Sequence, residues 1–302
     1  MKTLFIERTM ARKVGAALAG AVTLMTAGML MEGTATAVGI TDTKHNLSSA
    51  GLGTQTAKFD GTGEICVFCH TPHGSDTSAV VPLWNRAMAV PSTYTTYNSL
   101  GTTSLDGATA PVGSVSLACL SCHDGTLAMN VMINQPGSGG YTPTGAALAG
   151  NWTGTGQTSG LLGSAGSITR IGQDLRNDHP IGIQYGGGMP SGGAYTTADI
   201  GAGTLKDADF KGLKYASLNG QPVWWVDSGT VSGTRDKADM MLYTRTGADS
   251  VAPNGTVTSG ALTGAQAFVE CASCHDPHTS TQATFLRMSN AGSLLCLACH
   301  TK

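Results

Sequence analysis

Four times in 302 residues the chain repeats the pattern C-x-x-C-H: Cys66 to His70 ("CVFCH"), Cys119 to His123 ("CLSCH"), Cys271 to His275 ("CASCH") and Cys296 to His300 ("CLACH"). A single copy would read equally well as half of a zinc knuckle or as a thioredoxin-like redox pair. Four copies use all eight cysteines, and a histidine follows the second cysteine every time. That pattern points to attachment of c-type haem, in which each thiol adds to a porphyrin vinyl group and the adjacent imidazole ligates the iron from one face. Cys66, Cys69, Cys119, Cys122, Cys271, Cys274, Cys296 and Cys299 are therefore the expected cofactor-binding groups, and four covalently bound haem c groups the expected cofactor.

The chain has eight histidines, and His70, His123, His275 and His300 belong to the motifs. His45, His73, His179 and His278 remain, one for the second axial position of each iron. A lone histidine is more commonly a surface or hydrogen-bonded residue, but here both the count and the placement fit distal ligation. Methionine is the rival ligand and would raise a haem's potential. Of the 12 methionines, Met1, Met10, Met25, Met29 and Met31 fall in an N-terminal leader.

Two of the motifs extend to C-x-x-C-H-x-P-H, ending at His73 and at His278. Residues three apart on a helix share a face, so His70 and His73 cannot grip one iron from opposite sides. The proline also turns the preceding residue out of helical geometry. Each of these second histidines is expected to reach a different haem and to draw two porphyrins close together.

Residues 1–37 read as a signal peptide. Lys2, Arg8, Arg12 and Lys13 form a basic start, residues 14–31 are almost uninterruptedly apolar, and Ala35-Thr36-Ala37 is an A-x-A cleavage site. The alternative is a membrane anchor, since the apolar run nearly suffices to span a bilayer; no membrane anchor is expected in the mature chain. Removing this leader takes away four basic and two acidic residues, leaving 13 Lys+Arg against 17 Asp+Glu. A net negative chain without a basic patch is not expected to bind nucleic acid.

Charged residues are 12%, aromatics 6%, and 42 residues are glycine, a composition poor in long amphipathic helices and in large aliphatic cores. The expected fold class is a multihaem cytochrome c, mostly coil, with short helices around the C-x-x-C-H turns, a few short strands and the haem stack as core. Residues 38–130 would form an N-terminal dihaem module and 266–302 a C-terminal dihaem segment of the same design. Residues 131–265, carrying His179, would be an insertion. Its first half is rich in Gly, Thr and Ser and suggests a flexible linker; its second half carries an Asn219-Gly220 hairpin signal, with Trp224 and Trp225 serving as haem cover or as hairpin packing. "GSVSLACLSCHDGT" and "NAGSLLCLACHTK" are the best helix candidates, with Ser, Asn or Gly ahead as caps.

With these pieces in order, the chain resembles the tetrahaem extracellular cytochromes that polymerise into conductive filaments, the OmcE type. The resemblance rests on "TKHNLSS" at 43–49, "EICVFCHTPH" at 64–73, "CLSCHDG" at 119–125, "NDHPI" at 177–181 and "ECASCHDPH" at 270–278. It implies bis-histidine haems in a continuous row, export to the surface, head-to-tail self-association, and electron exchange with other electron-transfer proteins and extracellular acceptors. A discrete periplasmic or surface carrier is the alternative. A multihaem reductase is a third reading, but it needs an open iron position beside acid or base groups. No motif is a C-x-x-C-K variant, and each haem has a candidate distal histidine. An enzyme is not expected.

Overall fold

The computed structural model describes residues 39–51, 55–137, 139–229, 233–247, 250–251, 257–258 and 262–301. The expected leader lies outside the described residues.

Each C-x-x-C-H stretch folds as a tight helical turn. In three of them the histidine N–H donates to the carbonyl of the first cysteine, His70 to Cys66 at 2.7 Å, His275 to Cys271 at 3.1 Å and His300 to Cys296 at 2.9 Å. The first motif begins with a 3-10 turn over Cys66–Phe68. The other three are α-helical: α1 (Ser114–His123), α2 (Cys271–Cys274) and α3 (Leu294–Cys299). The helices sit where the sequence places them, but the caps differ. Gly113 caps α1 and Ser293 caps α3, neither through a side-chain hydrogen bond. The reciprocal cap is on α2, where Glu270 receives the Ser273 backbone N–H and Ser273 Oγ receives the Glu270 N–H.

The strands in chain order are β1 (Lys58–Phe59), β2 (Val131–Asn134), β3 (Tyr141–Ala147), β4 (Trp152–Thr153), β5 (Gln157–Thr158), β6 (Leu161–Leu162), β7 (Ile183–Gln184), β8 (Lys214–Leu218), β9 (Gln221–Val226), β10 (Met240–Thr246), β11 (Ser250–Val251), β12 (Val257–Thr258) and β13 (Ala265–Val269). Eight of them form two-stranded pairs, β1 with β4, β2 with β3, β5 with β6 and β11 with β12. The Gly/Thr/Ser-rich stretch expected to be a linker thus contributes β3 to β6. Its glycines make the turns possible: at Gly154, φ is +91° and a Cβ would lie 2.4 Å from the Thr56 carbonyl oxygen.

The remaining five strands build one antiparallel sheet in the order β7-β13-β10-β9-β8. Asn219 and Gly220 form the two-residue turn between β8 and β9, with φ of +51° and +76°. Positive φ at both positions is what a type I′ hairpin requires. Trp224 is fully buried against Tyr195, Val226, Met240 and Leu242, so it packs the sheet. Composition alone gives no hint of this apolar core, which is larger than expected. Otherwise the chain is, as anticipated, mostly coil with short helices and strands. Strand β13 runs through Glu270 directly into α2, so the sheet fixes the direction from which the third motif starts. No described helix is long and apolar enough to cross a membrane.

Replacing Trp224 by alanine should cost about 3–5 kcal/mol of unfolding free energy, read as a lowered urea midpoint. A midpoint close to that of the wild type would mean that the sheet's own core does not matter to stability.

Candidate haem-binding site

The histidines carry the most specific geometry. His45 and His123 have ring centroids 6.3 Å apart with planes at 89°. His70 and His278 have centroids 6.2 Å apart with planes at 15°. An imidazole nitrogen sits about 2 Å from a first-row metal, so two rings holding one iron from opposite sides have centroids about 6 Å apart. Both pairs fit a bis-histidine iron, and each joins a motif histidine to one from outside the motifs. His179 lies within electrostatic reach of His300. Among the described residues no ring contact joins His73 or His275 to another histidine of complementary role.

The protonation pattern fits as well. His70 Nδ1 faces the Pro82 carbonyl at 2.9 Å, His123 Nδ1 that of Thr169 at 2.8 Å, His275 Nδ1 that of Thr284 at 2.8 Å and His45 Nδ1 that of Pro277 at 3.0 Å. His179 Nδ1 does the same toward Pro180, at 3.1 Å. A carbonyl only accepts, so in each ring Nδ1 is the protonated nitrogen and Nε2 keeps its lone pair for a metal. Burial holds the His123 imidazole down at about 4 and also lowers His45, keeping both neutral at pH 7. His278 differs: its Nδ1 lies 3.5 Å from an Asp276 carboxylate oxygen. Two ring neighbours complete the surroundings. Phe285 stacks on His45 at 4.2 Å, and Trp84 meets His70 edge-on at 5.9 Å.

The cysteines place the four motifs in a row. Cys69 and Cys122, from the first and second motifs, pack against one apolar cluster with Phe68 and Met129. The Cys119 thiol, in the second, donates to that of Cys271 in the third, which pushes Cys119 up and pulls Cys271 down. Cys274 and Cys299, from the third and fourth, pack against the sheet cluster. Consecutive motifs are thus neighbours in space. The outermost thiols of the row, Cys66 and Cys296, are exposed.

A buried polar knot ties the second motif to the third. Ser116, on α1, donates its hydroxyl to Glu270 and accepts the Cys271 backbone N–H at 2.9 Å. Arg245, on β10, donates Nε to Glu270 at 3.0 Å and also reaches the Pro111 carbonyl. Burial pushes the Glu270 carboxyl up, against the pull of Arg245 and Ser116. Sequence reasoning missed Arg245 and the carbonyl partners of the histidines. A glutamate directly before "CASCH" was the one visible signal of the knot.

A family model described as a doubled CXXCH motif matches residues 265–302, covering β13, α2 and α3. No curated protein is similar enough to the chain to register as a match. The doubled motif supports a multihaem c-type cytochrome in electron transfer, with covalently bound haem c.

Removing Glu270 would leave the Arg245 charge buried without its partner. Glu270→Ala should therefore cost about 3–5 kcal/mol, read by denaturant unfolding, whereas an unchanged stability would mean that the knot is not a structural tie.

Proposed function

We propose that the chain is a tetrahaem, bis-histidine c-type cytochrome that conducts electrons outside the inner membrane as the subunit of an extracellular filament. The observation that carries the haem part is the pair of opposed rings, His45 with His123 and His70 with His278, at the separation one iron requires. His179 is then the second ligand beside His300, and His73 is left for the iron beside His275. With both axial positions of every iron taken, nothing is bound or transformed at the metal, and the protein is a carrier and not an enzyme. Haem supplies the one-electron chemistry. The chain fixes the orientation of five of these rings, His45, His70, His123, His179 and His275, through a backbone carbonyl and attaches neighbouring groups close together, and tunnelling is fast across such gaps.

Export follows from the leader-like residues 1–37, since attachment to C-x-x-C-H takes place beyond the inner membrane. Assembly into a filament rests on the resemblance and on His73, which is exposed. In the filament, His73 of one subunit reaches the iron beside His275 of the next, a heterologous contact that propagates and does not close. In a discrete carrier, His73 would reach the iron beside His275 of its own chain, the mirror of what His278 would do toward His70; the repeated C-x-x-C-H-x-P-H motif is the observation behind this second reading. Other electron-transfer proteins would load the row, and extracellular acceptors would drain it.

The mass of the mature protein should exceed that of the polypeptide by four haems. The reduced protein should be fully low-spin and bind no carbon monoxide; a high-spin fraction near a quarter would favour a reductase. His179→Ala should keep all four haems attached and turn one iron high-spin. A fully low-spin spectrum from that variant would remove His179 as a ligand. His73→Ala should abolish filaments in electron micrographs and leave one high-spin haem per subunit, whereas intact filaments would remove the crossing ligand.

A further inference from the structure

We propose that Arg86 sets redox potential: its buried positive charge, hydrogen-bonded to no carboxylate among the described residues, raises the reduction potential of the haems attached at Cys66 to His70 and at Cys119 to His123. The inference rests on the haem reading given above. Arg86 is 0% exposed. Its Nε donates to Ser121 Oγ at 3.2 Å, one terminal nitrogen to the carbonyls of Met129 at 2.8 Å and Val131 at 2.9 Å, and the other to those of Ser121 at 2.9 Å and Ala128 at 3.1 Å. All five N–H groups are used, and every acceptor is a neutral oxygen.

A guanidinium cannot shed its proton in a protein, and burying a charge without a counter-charge costs several kcal/mol. Arg245, at the third motif, has Glu270 beside it; among the described residues Arg86 hydrogen-bonds no carboxylate. Hydrogen bonding alone does not explain the charge, since it holds these carbonyls at the expense of a full desolvation.

Location gives the charge a use. Ser121 stands between the two thiols of the second motif. Asn85, the residue before Arg86, donates its backbone N–H to the Cys69 carbonyl of the first motif at 2.9 Å. Trp84, one residue earlier, packs against His70. The guanidinium therefore lies between the first two attachment sites. Reduction adds one electron at iron, so a fixed positive charge nearby favours the reduced form, and burial protects that attraction from screening by salt. Two carboxylates act in the opposite sense at the same sites. Asp124, next to His123, is hydrogen-bonded by Tyr94 and Thr126, and Asp276 lies beside His278. The contribution of Arg86 is therefore read from its removal and not from absolute potentials.

The test is a redox titration of the intact haem-loaded protein, followed by optical and haem-methyl NMR signals, for the wild type, Arg86→Met, Arg86→Lys and Ser121→Asp. In Arg86→Met two of the four reduction steps should fall by at least tenfold in equilibrium constant, which is 59 mV for one electron, and the other two should stay in place. Arg86→Lys keeps the charge without the planar fork while its amine is protonated, and should hold the wild-type potentials in a titration at low pH. Ser121→Asp keeps the guanidinium but sets a carboxylate against it, and should lower the same two steps; it decides the matter if Arg86→Met does not fold. Unmoved potentials in a folded neutral or compensated variant would overturn the proposal. So would a fall in Arg86→Lys equal to that in Arg86→Met at low pH, or an equal shift of all four steps. Absence of haem from the wild-type protein would instead sink the haem reading itself.

Discussion

Two imidazoles facing each other about 6 Å apart are a demanding arrangement, because the segments that carry them are remote in sequence. His45 comes from the start of the described chain and meets His123; His278, near the C-terminus, meets His70. The turn between His275 and His278 links these distant parts: its Pro277 carbonyl accepts a hydrogen bond from His45 Nδ1–H, while His278 stretches back to the first motif. The first three motifs are thereby tied together by side chains placed as two ligands of one iron would be. Such long-range closure is entropically costly in a glycine-rich chain, and a metal–imidazole bond would be strong enough to offset it.

The backbone around the histidines has been bent to serve them. Thr284 and Phe285 have φ of +56° and +60°, and Leu83 has +58°. For residues other than glycine such conformations cost of order 1–3 kcal/mol each. Each has a use here. The Thr284 carbonyl orients His275, Phe285 stacks on His45, and the Leu83 carbonyl receives the Thr71 N–H just after the first motif. Strain concentrated at turns that aim carbonyls and rings agrees with a site whose function is to hold imidazoles in fixed orientation.

Much of this could be read from residue types and spacing. The helical turns at the motifs, the Asn219-Gly220 hairpin and the placing of the His278 ring against a ring outside its own motif all rest on local rules. Partners supplied by the backbone could not be read, because Pro82, Thr169 and Thr284 act through carbonyls that every residue possesses. Nor could the five-stranded sheet: β7 and β13 are short, and the pairing of β7 with β13 and of β13 with β10 spans insertions of no regular period. The Gly/Thr/Ser stretch looked like a linker because composition cannot distinguish solvated coil from short, polar, antiparallel pairs. Arg86 stands in "LWNRAMAV", where nothing foretells that a charge will be fully buried.

The most direct test of the histidine pairing is electron paramagnetic resonance of the oxidised protein, because ring orientation about a low-spin ferric iron sets the anisotropy of its signal. Perpendicular imidazoles, as in His45 and His123 at 89°, give a highly anisotropic low-spin signal, and nearly parallel ones, as in His70 and His278 at 15°, give a rhombic one. Both types are expected in the wild type, with loss of one highly anisotropic component in His45→Ala and loss of one rhombic component in His278→Ala. The opposite assignment, or a spectrum left intact by either substitution, would contradict it.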